Sequence, residues 1–131
     1  MSNIPQNLKY TKTHEWVRKE SDGTVTVGIT DHAQSMLGDF VFIDLPKIDT
    51  DYQPGKECCV VESVKAASDV YMPIAGKVKA VNTELAATPG SVNSDPYGKG
   101  WLFQITPANA NDVDKLLDAV AYAAVEQCES H

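Results

Sequence analysis

Apolar and polar positions alternate with a period of two along most of the chain, which is the spacing of half-buried strands. Val25, Val27 and Ile29 alternate with Thr24, Thr26 and Gly28, so a strand over 24–29 turns one apolar face inward. Glu15–Lys19 precedes it, and Ser21-Asp22-Gly23 between them is a turn signal, so the pair reads as a hairpin. Asp31 is placed to cap a short helix that Gly38 ends. Strand pattern resumes over 39–45 and stops at Pro46. Pro54-Gly55 punctuates a loop, and 57–62 is an apolar strand. Extended structure returns over 69–74, Ala75-Gly76 turns the chain, and 77–81 alternates again. A long connection over 82–100 contains Pro89-Gly90 and Asp95-Pro96-Tyr97-Gly98, and 101–106 is a last strand.

After Pro107 the period changes. Val113, Leu116, Leu117, Val120, Ala121, Ala124 and Cys128 fall at helical spacing, with Asn111 or Asp112 as the cap. The spacing predicts an amphipathic C-terminal helix over 111–128, packed on a β body spanning about 8–106. A helix that binds a partner is the other reading of the same face. Many short strands separated by turns predict a mostly β fold, a sandwich or flattened barrel, forming a single domain over 1–131.

Composition narrows the function. The chain has 131 residues, 43% of them hydrophobic, an ordinary fraction for a folded domain. Its formal charge of −7 repels a phosphate backbone and argues against nucleic-acid binding. No apolar run has the length to span a bilayer, and residues 1–8 show no signal pattern, so the expectation is a cytoplasmic protein, with a processed mitochondrial form also compatible, and its soluble, acidic character suggests a monomer. Three cysteines, Cys58, Cys59 and Cys128, make no disulfide framework, and the adjacent pair reads as small apolar filler.

The stretch that carries chemistry is Val60-Val61-Glu62-Ser63-Val64-Lys65-Ala66-Ala67-Ser68-Asp69-Val70. Two strand-like runs flank a few small and polar residues, which places Lys65 at or beside a hairpin tip. A tip lies on the surface and tolerates a large adduct without disturbing a core. An acylated lysine there loses its charge and becomes a long tether. Glu62 and Asp69 flank it as an acidic signature. Taken alone, Lys65 is better described as an ordinary solvated lysine in a hairpin.

Further segments change that weighting. They are 10–17 (Tyr10-Thr11-Lys12-Thr13-His14-Glu15-Trp16-Val17), Gly28-Ile29-Thr30-Asp31-His32-Ala33-Gln34 with Leu37-Gly38-Asp39, and Glu62-Ser63-Val64-Lys65-Ala66 with Ser68-Asp69-Val70-Tyr71. Gly76-Lys77-Val78, Val92-Asn93, Asp95-Pro96-Tyr97-Gly98 and Gly100-Trp101-Leu102 follow in order. Together they resemble the H-protein family of the glycine cleavage system over nearly the whole chain. The resemblance implies a lipoyl-domain-like fold of two antiparallel sheets in a flattened barrel. It implies a non-catalytic carrier with lipoate in amide linkage on Lys65, and Glu62, Ser63 and Asp69 as the hairpin signature. Implied partners are a pyridoxal-phosphate glycine decarboxylase, a folate-dependent aminomethyltransferase, a dihydrolipoyl dehydrogenase, and a lipoate ligase or lipoyl transferase. The family's loaded arm folds back into a cleft, and Glu15 and Asp69 match positions that line it, with Thr13 nearby. Ala67 and Cys58-Cys59 depart from commoner family residues.

Other chemistries fit less well. His14-Glu15-Trp16-Val17-Arg18 opens like a zinc-protease helix, but Arg18 stands where the second histidine belongs, and the segment reads as strand. Gly98-Lys99-Gly100 lacks phosphate-loop spacing. A biotin carrier normally has methionines beside its lysine, where this chain has Val64 and Ala66. A relay of lipoate to other complexes, and an unmodified binding domain of the same fold, stay open.

Overall fold

Alternation becomes nine strands among the residues that the computed structural model describes, 4–129. They are β1 (Lys9–Tyr10), β2 (Glu15–Lys19), β3 (Val25–Ile29), β4 (Phe40–Asp44), β5 (Asp51–Tyr52), β6 (Glu57–Ser63), β7 (Ala67–Tyr71), β8 (Gly76–Val81) and β9 (Phe103–Pro107). One sheet has the order β1-β2-β3-β9-β8-β5 and the other β4-β6-β7, with every pairing antiparallel. Both sheets keep free edges, so the body is an open pair of sheets and not a closed barrel. The two-residue strands β1 and β5 have too little alternation to be read from sequence.

The core lies between the sheets. Val17, Val25, Val27, Val78 and Ile105 from the larger sheet join Phe40, Ile43, Val61 and Val70 from the smaller one in a single buried cluster. Each such side chain contributes about 1.5–3 kcal/mol when fully buried. Cys58 and Cys59 both belong to this cluster, as expected for filler. The register of β6 on β7 shifts between Glu57 and Cys59, which lets two consecutive residues be buried.

One expectation fails at β3. Its polar face is buried too: Thr26 donates to Glu20 and accepts from Gln104, and Gly28 lies against the Trp16 indole. A second cluster of Leu8, Tyr10, Trp16, Ala119 and Tyr122 covers that side.

The short helix α1 (Asp31–Leu37) is where the sequence puts it, and Gly38 ends it at φ 83. Its cap is Thr30, whose hydroxyl accepts the Ala33 N–H at 3.3 Å, rather than Asp31. The connection over 82–100 holds a 3-10 turn (Thr83–Ala86) and the one-turn helix α2 (Ser91–Ser94). The last strand starts at Phe103, two residues later than expected.

The C-terminal helix is corrected most. Residues 111–128 are not one helix: a 3-10 turn (Ala110–Lys115) gives way to extended backbone at Leu116, and α3 spans Ala119–Glu129. Leu117 breaks the helix by pairing with Tyr10 through two backbone hydrogen bonds of 2.8 and 2.9 Å, adding a bridge to the sheet edge. The caps are Asn109 for the 3-10 turn and Asp118 for α3, not Asn111 or Asp112. The break resets the helical phase, so Val113 enters the main core, Tyr122 the second cluster, and Val120 is 79% exposed. The side chain of Cys128 lies outside the described residues.

Candidate functional site

Strands β6 and β7 pair through Val61↔Ser68 and Glu62↔Ala67, which leaves a two-residue tip of Val64 and Lys65. The Ser63 N–H donates to the Ala66 carbonyl at 2.8 Å and closes the turn. Neither tip residue has a positive φ, so the turn needs no glycine. Instead the Ser63 hydroxyl accepts the N–H groups of Lys65 and Ala66 at 3.2 and 3.1 Å. The Val64 N–H donates to the Asp39 carbonyl at 3.0 Å, tying the tip to the chain between α1 and β4. That chain is held in turn by Asn93, which donates to the Gly38 carbonyl at 2.8 Å and accepts from the Phe40 N–H at 3.0 Å. The backbone of the tip is thus fixed while the Lys65 side chain is exposed. Its stem runs past Gly38, where an added β-carbon would stand 3.4 Å from Cε.

Beside the hairpin is a cavity of about 90 Å³. Thr13, His14 and Glu15 border it from β2 and the turn before it, Ala33, Met36 and Leu37 from α1, and Ser68, Asp69 and Val70 from β7. The structure therefore brings Thr13, Glu15 and Asp69 around one space beside the Lys65 hairpin, with Leu37 of its lining next in sequence to Gly38, which the Lys65 stem passes. It does not bring Glu62 there; Glu62 faces Phe42 of β4 across the strand pair. Asp69 is exposed, and strand alternation turns it away from the buried face that carries Val70. Glu15 is the inner carboxylate.

Glu15 is 1% exposed, unusual for an ionisable residue. Its Oε1 accepts from the hydroxyls of Thr11, at 2.6 Å, and of Thr13, and the Tyr71 N–H points at Oε2 from 3.4 Å. Burial pushes the carboxyl above its ordinary value, with these hydrogen bonds pulling the other way. The two hydroxyls saturate one oxygen and leave most of the capacity of the other for an incoming donor. Thr11 was not singled out in the sequence; its place two residues before Thr13, in the turn that leads into β2, was the available signal. Glu15 and Thr13 also border a larger cleft of about 510 Å³, walled by Tyr10, Tyr71, Met72, Leu116 and Leu117.

An open pair of antiparallel sheets that holds one lysine out on a hairpin, with an apolar-walled cavity beside it, is a lipoyl-domain-like protein. The family model described as Glycine cleavage H-protein matches residues 8–129. The glycine cleavage system H protein of Enterobacter sp. (strain 638) is 57% identical over 129 residues, 98% of this chain and 100% of that one. That of Chromobacterium violaceum is 62% identical over 123 residues, covering 94% and 96%. A crystal structure of a glycine cleavage system H protein from Mycobacterium marinum matches with a TM-score of 0.83 at 39% identity, covering 92% of this chain and 97% of that one. The chain belongs to the glycine cleavage H-protein family.

Proposed function

We propose that this protein is the lipoate-bearing carrier of the glycine cleavage system, a positioning component rather than a catalyst. Lipoate joins Lys65 through an amide to Nζ, made by a lipoate ligase or lipoyl transferase. When bound, it would supply a cyclic disulfide that is reduced as it takes up the one-carbon amine fragment of glycine, leaving a dithiol to be reoxidised once the fragment is given up. The residues present suit such an arm. Lys65 is exposed at a tip whose backbone is fixed, and the cavity beside the hairpin offers apolar walls for an aliphatic chain. Glu15 ends that space with a carboxylate suited to a cationic amine, while Thr11 and Thr13 hold its other oxygen.

The arm visits the pyridoxal-phosphate glycine decarboxylase, the folate-dependent aminomethyltransferase and the flavin-containing dihydrolipoyl dehydrogenase in turn. Tethering keeps the cargo at high effective concentration at each site. Between visits, Thr13 and Glu15 would shield it from water, with Asp69 at the exposed rim of the cavity. The observation that carries this reading is the exposed Lys65 tip beside a cavity that ends in a buried carboxylate, in a chain of this family. Intact mass after incubation with lipoate, ATP and ligase tests it. One lipoyl increment is expected in the wild type and none in Lys65→Arg; no increment, or one that survives the substitution, overturns it.

A further inference from the structure

The ring of Tyr122, on α3, is fully buried and stacks on Tyr10 at 4.7 Å between centroids. That accounts for the ring. The hydroxyl lies 2.7 Å from His14 Nδ1 and 2.7 Å from Thr30 Oγ1, joining two residues distant in sequence. Each of the two roots one wall of the arm cavity. Thr30 caps α1, which supplies Ala33, Met36 and Leu37. His14 immediately precedes Glu15, and its carbonyl accepts the Thr30 N–H at 3.0 Å.

His14 is also one of two non-glycine residues with positive φ among the described residues, at 72°. The left-handed region is disfavoured for a residue with a β-carbon and persists where surrounding contacts impose it. Returned to an extended conformation, His14 would rotate the start of β2 and carry the Glu15 carboxylate away from Thr11 and Thr13. One turn further along α3, Glu126 Oε1 lies 3.7 Å from His32 Nδ1, and the His32 ring tilts against His14 at 4.9 Å. A single face of α3 thus grips this corner at positions four apart.

We infer that Tyr122 is a positioning residue: its hydroxyl holds His14 in the left-handed conformation and so aims the Glu15 carboxylate into the cavity that receives the loaded arm. The inference deepens the carrier reading above and rests on it for the arm. Its first test does not need the arm.

Tyr122→Phe keeps the stacked ring and deletes one oxygen. In unmodified protein, the titration of the Glu15 side-chain carboxyl is followed by carbon NMR, with the amide spectrum as a check on folding. Glu15 is expected to titrate nearer the ordinary carboxylate range in Tyr122→Phe than in wild type, because its carboxylate gains water. An unchanged Glu15 titration reduces Tyr122 to a packing residue and overturns the inference. His14→Asn supplies a second route, since asparagine tolerates positive φ and is too short to reach the Tyr122 hydroxyl. Glu15 is expected to stay raised in that variant, and adding Tyr122→Phe is expected to change nothing further; a further shift overturns the inference. In loaded protein, Tyr122→Phe is expected to speed release of the cargo about three- to tenfold, the factor that one hydrogen bond represents. Attachment of lipoate to Lys65 should stay within about twofold of wild type, because the altered bond lies away from the hairpin tip. Failure of attachment in the wild type overturns the carrier reading and leaves the Glu15 titration as a separate result.

Discussion

The Ser63 hydroxyl accepts the backbone N–H of Lys65 at 3.2 Å, and by also taking the Ala66 N–H at 3.1 Å it shapes the turn that presents the lysine. Ser63→Ala removes that acceptor from both donors. The turn is exposed and water replaces the hydroxyl, so the stability cost is expected to be about 1 kcal/mol or less. The effect on function is expected to be larger. A ligase must meet an ordered tip, and kcat/KM for lipoylation should fall several-fold while the melting temperature barely moves. Ser63→Thr, which keeps the hydroxyl, should restore the rate. Equal rates for serine and alanine would show that the ligase orders the tip itself.

Trp16 and Gly28 make the tightest side-chain approach to a glycine of β3. A β-carbon built on Gly28 would stand 2.6 Å from the indole, while the indole Nε1 donates to the Pro96 carbonyl at 2.9 Å and Arg18 sits 5.5 Å over the ring. The indole is held on several sides and has no room to retreat. Gly28→Ala is therefore expected to lower unfolding free energy by about 1–3 kcal/mol, the usual cost of overpacking. Urea denaturation measures it. A change near zero would mean that the second cluster relaxes freely.

The hairpin, the lysine and most strands were legible in the sequence because each is written locally, in period-two alternation and turn residues. The C-terminus was not. Val113, Leu116, Leu117 and Val120 keep helical spacing by coincidence, and the Leu117–Tyr10 bridge that breaks the helix depends on a partner more than a hundred residues away. The burial of Glu15 was hidden for the same reason. A glutamate opening a strand looks solvated until α1, β7 and the Thr11 hydroxyl close around it. His14 drew attention only as half of a metal motif, whereas its observed partner is Tyr122 on the distant α3.

Burial pushes the Cys58 thiol up to about 12, and Cys59 is raised as well, chiefly by the same cause. Thiolates are the reactive form, so both residues are expected to resist iodoacetamide at pH 8 in the native protein and to label promptly in denaturant. Peptide mapping assigns the labels to Cys58 and Cys59 separately from Cys128. Rapid native labelling of either would mean that the β6–β7 sheet opens readily, in conflict with a rigid base for the arm.

Glu15 makes the stability of this fold depend on pH in a direction opposite to that of most carboxylates. Its folded value is raised by burial, so the folded state holds the proton more tightly than the unfolded chain does. The contribution is fully present below the unfolded value of about 4.3 and is lost as pH rises through the folded one. Glu15→Gln abolishes this titration. The stability of wild type relative to Glu15→Gln is therefore expected to fall as pH rises above about 4, measured by urea unfolding at fixed ionic strength. A difference that stays flat, or that grows in favour of wild type with rising pH, would falsify the raised value. The same carboxylate bears on the cargo. A cationic amine in the cavity favours the ionised form, so loading should recover at neutral pH part of what burial costs. Glu15→Ala is accordingly expected to leave lipoylation of Lys65 intact and to shorten the lifetime of the loaded group. An unchanged lifetime would remove Glu15 from the arm site and leave its burial without a purpose in transfer.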